Sequence, residues 1–394
     1  MSKIVIIGAG SGFGGRLSID ILVREPLRDA TIALCDIHPG RLEKVKAYVE
    51  LAIKKHNLPA KVEASVNRRD LLPGADFVVT SVAVGGGAYY GYPYNAEIEI
   101  PRKYGMDIYV GDTVSTAAVF RFLRTAPIHL QILRDMEELC PNALQLNHTN
   151  PMAMLTWMHH AASSIRNVGL CHGIQGTSRK IAEWINVPEE EITYQWAGIN
   201  HMAWLLECRR GEEDLYPRLR ALIDGPNKVE GEAVRFQILK HFGRFCTESN
   251  RHASEYVPYF RKRPDMLEQF DCVPRNLITA LDPSKRVWTD ESGGDTMQKS
   301  LEELQASREF SSGIMQAVVT DKPYKFYGNV QNTGLIPNLP EGCCVEVPCM
   351  TDRAGIHPCY VGNLPPQLAA LCRSNVAVQQ LAVEAFIERD REKA

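Results

Sequence analysis

The chain has 394 residues, 45% hydrophobic and 23% charged, so it can bury a sizeable core, and its length suggests two or three domain-sized units. A formal net charge of -3 gives no positive field for nucleic acid or an anionic membrane, so neither is expected as a partner and small-molecule chemistry becomes the default. No apolar run approaches the roughly 18 to 20 residues that span a bilayer, and Met1-Ser2-Lys3 leads straight into a strand-like run without a secretory segment, which predicts a cytoplasmic protein.

In chain order, Lys3 to Gly8 is an apolar run ending in glycines, Thr31 to Leu34 a second, Val62 to Ser65 a third and Asp76 to Val82 a fourth. Between the second and third, Pro39 to Ile53 carries Leu42, Val45, Val49 and Ala52 at helical spacing. Strand and helix alternating in this way predict an α/β fold with a parallel, doubly wound Rossmann-type sheet, extended by Ala143 to Leu146 and Val168 to Leu170. Val114 to Met136 reads as a long helix interrupted at Pro127.

From Glu191 the rhythm changes. Ile192 to Ile199 and Trp204 to Cys208 read as strands flanking Asn200 and His201, and a mixed α+β region follows. The expected division is a nucleotide-binding domain over 1–191 and an α+β substrate and metal domain over 192–394, packed closely together. Gly211 to Arg235 and Ala280 to Asp295 are charged and loop-like, and are expected to be solvated. The eleven cysteines are scattered with no CxxC pair, which argues against a disulfide framework or a four-cysteine zinc site and for reduced, mostly buried thiols.

Gly8-Ala9-Gly10-Ser11-Gly12-Phe13-Gly14-Gly15 follows the first strand and opens a segment, Leu17 to Val23, that can be helical. Glycines there let the backbone approach a pyrophosphate, and a helix N-terminus adds N–H groups and a positive dipole end. The third glycine of the dinucleotide pattern falls on Phe13, so the pattern match is imperfect. Asp36 strengthens it: an acid ending the second strand is placed to bond the adenosine ribose and select NAD over NADP. Gly8, Gly10, Ser11, Gly12, Phe13 and Asp36 are therefore the candidate NAD site. Asp70 and the loop Ser81 to Gly87 are further candidates for cofactor contact, and spacing alone allows them equally to be ordinary surface loops.

A nucleotide fold does not settle chemistry. Three further segments do more: Asn147-His148-Thr149-Asn150-Pro151-Met152-Ala153-Met154, Gly169-Leu170-Cys171-His172-Gly173-Ile174-Gln175-Gly176-Thr177, and Ala197-Gly198-Ile199-Asn200-His201-Met202-Ala203-Trp204. Each begins at the end of an apolar strand, so their polar groups can converge at the carboxyl edge of the sheet.

With these motifs the sequence resembles glycoside hydrolase family 4, and within it the α-galactosidase branch. The resemblance extends over nearly the whole chain, through Gly111-Asp112-Thr113, Leu123-Arg124-Thr125, Thr247-Glu248-Ser249, Glu255-Tyr256 with Pro258, and Tyr327-Gly328-Asn329-Val330. Members of this family stand outside the two-carboxylate scheme of most glycosidases. The resemblance implies an NAD- and manganese-dependent enzyme with a lactate- or malate-dehydrogenase-like fold, a small-molecule glycoside as substrate, and a homo-oligomer, dimer or tetramer. It implies transient oxidation of the sugar at C3, removal of the C2 proton, elimination of the aglycone from C1, addition of water and return of the hydride.

By the same resemblance, Cys171 and His201 hold the divalent ion; two protein ligands are too few for a closed structural zinc site, so the ion stays open to the sugar oxygens O2 and O3. Tyr256 matches the base for C2, and because a tyrosine ordinarily titrates near pH 10, it needs a nearby cation to act near neutrality. Asp112 supports that base. His172 is either the general acid for the departing oxygen or a group that orients the metal site. Asn150 matches a residue binding substrate hydroxyls, and Glu248, His252 and Glu255 are unranked candidates for the pocket lining.

The sequence departs from the family at His148-Thr149, where a more aromatic or aliphatic pair is expected, and at Gly173-Ile174, where a serine-valine pair is expected. It also ends at Ala394, after a helical Val376 to Arg391, where relatives continue, so either the sequence is shortened or an element supporting oligomer contacts is lost. α-Glucosides and α-uronides remain alternative substrates. Phosphorylated sugars fit less well, since no basic cluster adjoins the motifs and Arg121, Arg124 and Arg286 cannot be placed. A plain NAD-dependent dehydrogenase of a sugar or hydroxy acid, and a non-catalytic NAD-binding protein, are the rival classes.

Overall fold

The protein is described here by a computed structural model covering residues 1–85, 93–109, 111–226, 228–273, 300, 303 and 306–394. The segment 280–295, Arg286 and the end of the loop at Gly87 lie outside the described residues.

The chain runs β1 (Lys3–Ile7), α1 (Gly12–Val23), β2 (Thr31–Cys35), α2 (Pro39–Lys55), β3 (Lys61–Ser65), β4 (Phe77–Thr80), α3 (Tyr94–Lys103), α4 (Thr116–Leu139), β5 (Leu144–Asn147), α5 (Met152–Ala162), β6 (Asn167–Gly169) and α6 (Gly173–Ile185). It continues through β7 (Thr193–Ile199), β8 (Met202–Arg210), β9 (Glu213–Asp214), α7 (Tyr216–Ala221), α8 (Ala233–Phe242), α9 (Asn250–Ala253) and α10 (Pro264–Gln269). The last elements are α11 (Ser311–Thr320), β10 (Tyr324–Gln331), β11 (Cys344–Asp352), β12 (Gly355–Pro358) and α12 (Pro366–Glu388).

Six parallel strands follow the order β3-β2-β1-β4-β5-β6, the doubly wound arrangement expected of a dinucleotide-binding sheet. The cause is visible in β1. Ile4 and Ile6 enter one core and Val5 and Ile7 the other, so the strand is apolar on both faces and helices must cover each. Beyond β6 the sheet turns antiparallel, through β10, β11, β7, β8 and β9, with β12 paired to β11. The segment from 192 onward thus continues the same sheet, and β10 and β11 are inserted between β6 and β7.

Two expectations are corrected. The helix does not break at Pro127: α4 runs unbroken from Thr116 to Leu139. Phe122 and Ala126 before the proline and Ile132, Leu133 and Met136 beyond it are buried in one core, and that packing outweighs the missing N–H and the ring clash. Nor is Gly211 to Arg235 all solvated loop. Leu215 and Leu219, four residues apart, dock α7 on a third core with Tyr216, and Arg235 is buried between the rings of Trp184 and Phe245 while paired with Glu232. All eleven cysteines are free, and only Cys171 and Cys359 are not fully buried. Among the described residues no helix is long and apolar enough to cross a membrane.

Candidate active site

The glycine loop sits where β1 hands over to α1. Gly8 has φ +89° and lies so close to the Ser81 carbonyl that no side chain fits. A Cβ on Gly10 would stand 2.7 Å from the Asp36 carboxylate, whose Oδ2 accepts from Gly10 N at 2.8 Å while Oδ1 accepts from His38 N at 2.9 Å. The close helix-to-strand packing falls to Gly14, whose Cβ would run into the Ala9 carbonyl. Phe13 is thereby free to carry a ring, and it packs against His148 at 4.6 Å between centroids. Ser11 precedes the helix, and its hydroxyl donates to Gly8 O, leaving the N-terminus of α1 at Gly12 facing the loop. A bare backbone cradle ahead of a helix N-terminus suits a pyrophosphate. Asp70 lies in the turn after the edge strand β3, its carboxylate accepting from Ser65 Oγ and Asn67 Nδ2.

The second half of the site is assembled by strand ends. Cys171 follows β6 at the entrance of α6, where its sulfur accepts from Gly173 N at 3.4 Å. His201 makes the tight turn between β7 and β8 with φ +63°. The donor atoms of Cys171, His201 and Glu248 lie within 4.8 Å of one another, as do those of Asp112, His201 and His252. Donors bound to one ion at about 2.0 to 2.6 Å can be no more than about 5 Å apart, so either set is compact enough for a metal. Thiolate, imidazole and carboxylate are also the donor chemistry that divalent transition metals take.

Behind His201 lies a buried hydrogen-bonded cluster. Its Nδ1 is 2.8 Å from the Thr113 hydroxyl, 3.0 Å from the Tyr256 hydroxyl and 3.4 Å from Asp112 Oδ1. His252 Nε2 is 3.0 Å from Asp112 and 3.1 Å from the Tyr256 hydroxyl, and its Nδ1 is 3.0 Å from Glu255. Glu255 in turn accepts from the backbone N–H groups of Tyr109 and Gly111, fixing the loop that carries Asp112.

Electrostatics follow from this crowding. Burial alone would discharge His201, yet Tyr256, Glu248, Asp112 and Cys171 around it raise it well above its ordinary value. Burial opposes the charge of Asp112, but His252 and His201 overcome it and hold the carboxyl well below the usual range. His252 is pushed up to about 9: burial acts against it, and Asp112 prevails. Burial raises the Cys171 thiol and the Tyr256 hydroxyl, with His201 pulling both down in part. The centre therefore gathers more potential anions than its own side chains neutralise, an arrangement suited to a cation.

Two family models cover the chain, the family 4 glycosyl hydrolase over residues 3–187 and the family 4 glycosyl hydrolase C-terminal domain over residues 196–394. The chain belongs to glycosyl hydrolase family 4. It is a glycosidase, and it is 38% identical to the α-galactosidase of Bacillus subtilis (strain 168), spanning 100% of this chain and 91% of that protein. With the α-galactosidase of Rhizobium meliloti (strain 1021) it shares 36% identity over 98% of this chain and 81% of that one. The 6-phospho-β-glucosidase of Thermotoga maritima, solved with manganese, NAD+ and glucose-6-phosphate, has the same fold at TM-score 0.79 and 19% identity, covering 100% of this chain and 92% of that one.

In this family 4 enzyme the structure brings Cys171, His201, Tyr256 and Asp112 together. His172 stands apart from them, its side chain 81% exposed and its Nδ1 3.7 Å from the Glu309 carboxylate. Glu309 also faces His148, at 3.8 Å, and His148 shares a hydrogen bond of 2.7 Å with Ser311. Asn150 is half-buried at the start of α5, its Oδ1 accepting from Met152 N at 3.2 Å. Arg121 and Arg124 both pair with Glu97, and Arg124 also donates to the Val84 carbonyl.

The sequence left Glu248, His252 and Glu255 unranked; the structure separates them into a neighbour of the Cys171–His201 pair, a partner of Asp112 and a loop anchor. It assigned no part to Thr113, Asn329 or Glu346. Glu346 is 2% exposed beneath the site, and burial pushes its carboxyl up to about 8, His201 and the Asn329 amide offsetting this only in part.

Proposed function

We propose that the enzyme hydrolyses α-galactosides, or closely related α-glycosides, using NAD at the glycine loop and a manganese ion held by Cys171 and His201. The observation that carries this reading is the meeting of a thiol and an imidazole from two separate strand ends, with the Tyr256 hydroxyl 3.0 Å from that same imidazole. The two bacterial α-galactosidases support the sugar, and the manganese and NAD+ of the Thermotoga maritima enzyme support the cofactors.

When bound, NAD supplies reversible hydride transfer at C3 of the sugar, and manganese supplies a Lewis acid for the charge that develops on its O2 and O3 oxygens. The protein's own groups do the proton work. Tyr256 takes the C2 proton, and His201, in contact with its oxygen, offsets in part the burial that holds the hydroxyl protonated, leaving the rest to the cation that the site is suited to hold. Asp112 balances His201 and His252 and orients them. His172, next in the chain to Cys171 and exposed, with Glu309 3.7 Å from its Nδ1, protonates the departing oxygen. Asn150 binds a sugar hydroxyl.

The test is hydrolysis of nitrophenyl α-galactoside, α-glucoside and α-galacturonide, with NAD and manganese withheld in turn. Fastest cleavage of the galactoside, lost when either is withheld, is expected. A faster glucoside or galacturonide reassigns the sugar, while NADH accumulating without free sugar replaces the whole reading with that of a dehydrogenase.

A further inference from the structure

Glu248 occupies a backbone conformation that costs it free energy. Its φ is +73°, in the left-handed region that a glutamate rarely adopts, and such a residue persists only where its surroundings hold it there. The conformation aims its carboxylate at the Cys171–His201 pair: Oε1 is 4.0 Å from Cys171 Sγ and 3.9 Å from His201 Nε2.

A second observation comes from the opposite wall. Gly173 has no side chain, and the place its Cβ would take is filled by Glu248 Oε1, with Cys171 Sγ 3.6 Å from the same point. The carboxylate reaches the thiol because residue 173 is glycine. This is one of the two positions at which the sequence departs from its family's expected pattern.

We propose that Glu248 is a third protein ligand of the divalent ion, admitted to it by the absent side chain at Gly173; this rests on the reading in which Cys171 and His201 hold that ion. Thiolate and carboxylate together bring two negative charges to a divalent cation beside a neutral imidazole, so the occupied site is locally balanced. An oxygen donor also moves the site toward manganese and away from metals that prefer sulfur and nitrogen alone. On an ion that takes six ligands, three positions remain for sugar oxygens and water.

The experiment measures Mn2+ binding to the metal-stripped, NAD-loaded full chain by electron paramagnetic resonance of the free ion. Glu248→Gln is expected to weaken binding at least roughly tenfold, since even outer-shell partners of a bound metal contribute that much. Gly173→Ala should weaken it to a similar degree, and the double variant no further, because both remove the same contact. Glu248→Gly should raise the Tm of the metal-free protein by relieving the backbone while losing the ion, a split that a structural glutamate would not produce. Unchanged Mn2+ affinity in Glu248→Gln and Glu248→Ala, with affinity lost in Cys171→Ser, overturns the role of Glu248 alone. Unchanged affinity in Cys171→Ser overturns the metal site on which it rests.

Discussion

Asn329 and Glu346 face each other across β10 and β11, and each is also the point at which a flanking strand joins: Gly169 of β6 registers on Asn329, and Gly198 of β7 on Glu346. Asn329 Nδ2 donates to the Glu346 carboxylate at 3.2 Å and to the Gly169 carbonyl at 3.3 Å, with both side chains buried. Cys171 lies two residues beyond Gly169 and His201 three beyond Gly198, so this buried pair sets how far apart the thiol and the imidazole stand. Glu346→Leu removes one of the two acceptors of the Asn329 amide, leaving only the Gly169 carbonyl, and is expected to cost about 1 to 3 kcal/mol in urea denaturation. Glu346→Gln keeps an acceptor oxygen and should cost clearly less. Equal losses in the two variants would count against the hydrogen bond as the link.

Acid lability is expected from a different place. His129 of α4 and His159 of α5 share a hydrogen bond of 3.0 Å and are fully buried. Burial holds His129 down to about 3 and His159 well below its ordinary 6.5. Both are neutral in the folded protein, whereas the unfolded chain binds protons below pH 6.5, so folding stability is intact above that pH and falls as the pH drops from there toward 3. Replacing both by leucine removes the two titrations and is expected to flatten the decline of urea midpoints on the acid side of 6.5. A decline as steep as the parent's would assign acid unfolding to the carboxylates instead.

The two close glycines of the nucleotide loop should fail differently. A methyl on Gly10 meets the Asp36 carboxylate and the Arg41 Cβ and displaces the acid placed for the ribose, so Gly10→Ala is expected to weaken NAD binding, read by nucleotide fluorescence titration, more than it lowers Tm. A methyl on Gly14 meets the backbone of Ala9, which cannot move without shifting β1, so Gly14→Ala should lower stability by about 1 to 3 kcal/mol. If Gly14→Ala proved as stable as the parent, the helix-to-strand contact would not be the reason for that glycine.

These relationships also show which features were readable in the sequence. Strands apolar on both faces, such as Ile4 to Ile7, announce a parallel sheet covered on both sides, which the first six strands form. The Cys171 and His201 motifs could be read because each sits at a strand end. Gly14 could not be recognised as the packing glycine, since the pattern places that role at 13 and only the start of α1 at Gly12 shifts it. Asn329 and Glu346 were illegible for a topological reason. Their positions depend on β10 and β11 inserting between β6 and β7, a long-range choice that local periodicity does not carry. Glu248 was named but could not be ranked, because only the pairing of Cys246 and Thr247 beside β8 brings it to the Cys171–His201 pair. Pro127 misled in the opposite direction, because a local helix breaker yielded to the packing on both sides of it.

The proposed mechanism gives Tyr256 and His172 different protons to move, and that difference separates their variants. Removal of the C2 proton exchanges it with solvent, so turnover in heavy water places deuterium at C2 of the released sugar. Tyr256→Phe keeps the ring in its buried place but removes the oxygen that touches His201 and His252, and it is expected to lower kcat by roughly 10² to 10⁴, the usual worth of a general base. The loss should be similar for every aglycone, because proton removal precedes departure. His172→Ala leaves that step intact, and it should slow cleavage of an alkyl α-galactoside, whose leaving oxygen needs a proton, far more than that of the nitrophenyl glycoside, which departs without one. Glu309→Gln should follow His172→Ala in the same direction with a smaller effect, since its carboxylate only faces the imidazole at 3.7 Å. Equal slowing of both glycosides by His172→Ala would remove the general acid role and leave His172 as a group that orients the metal site.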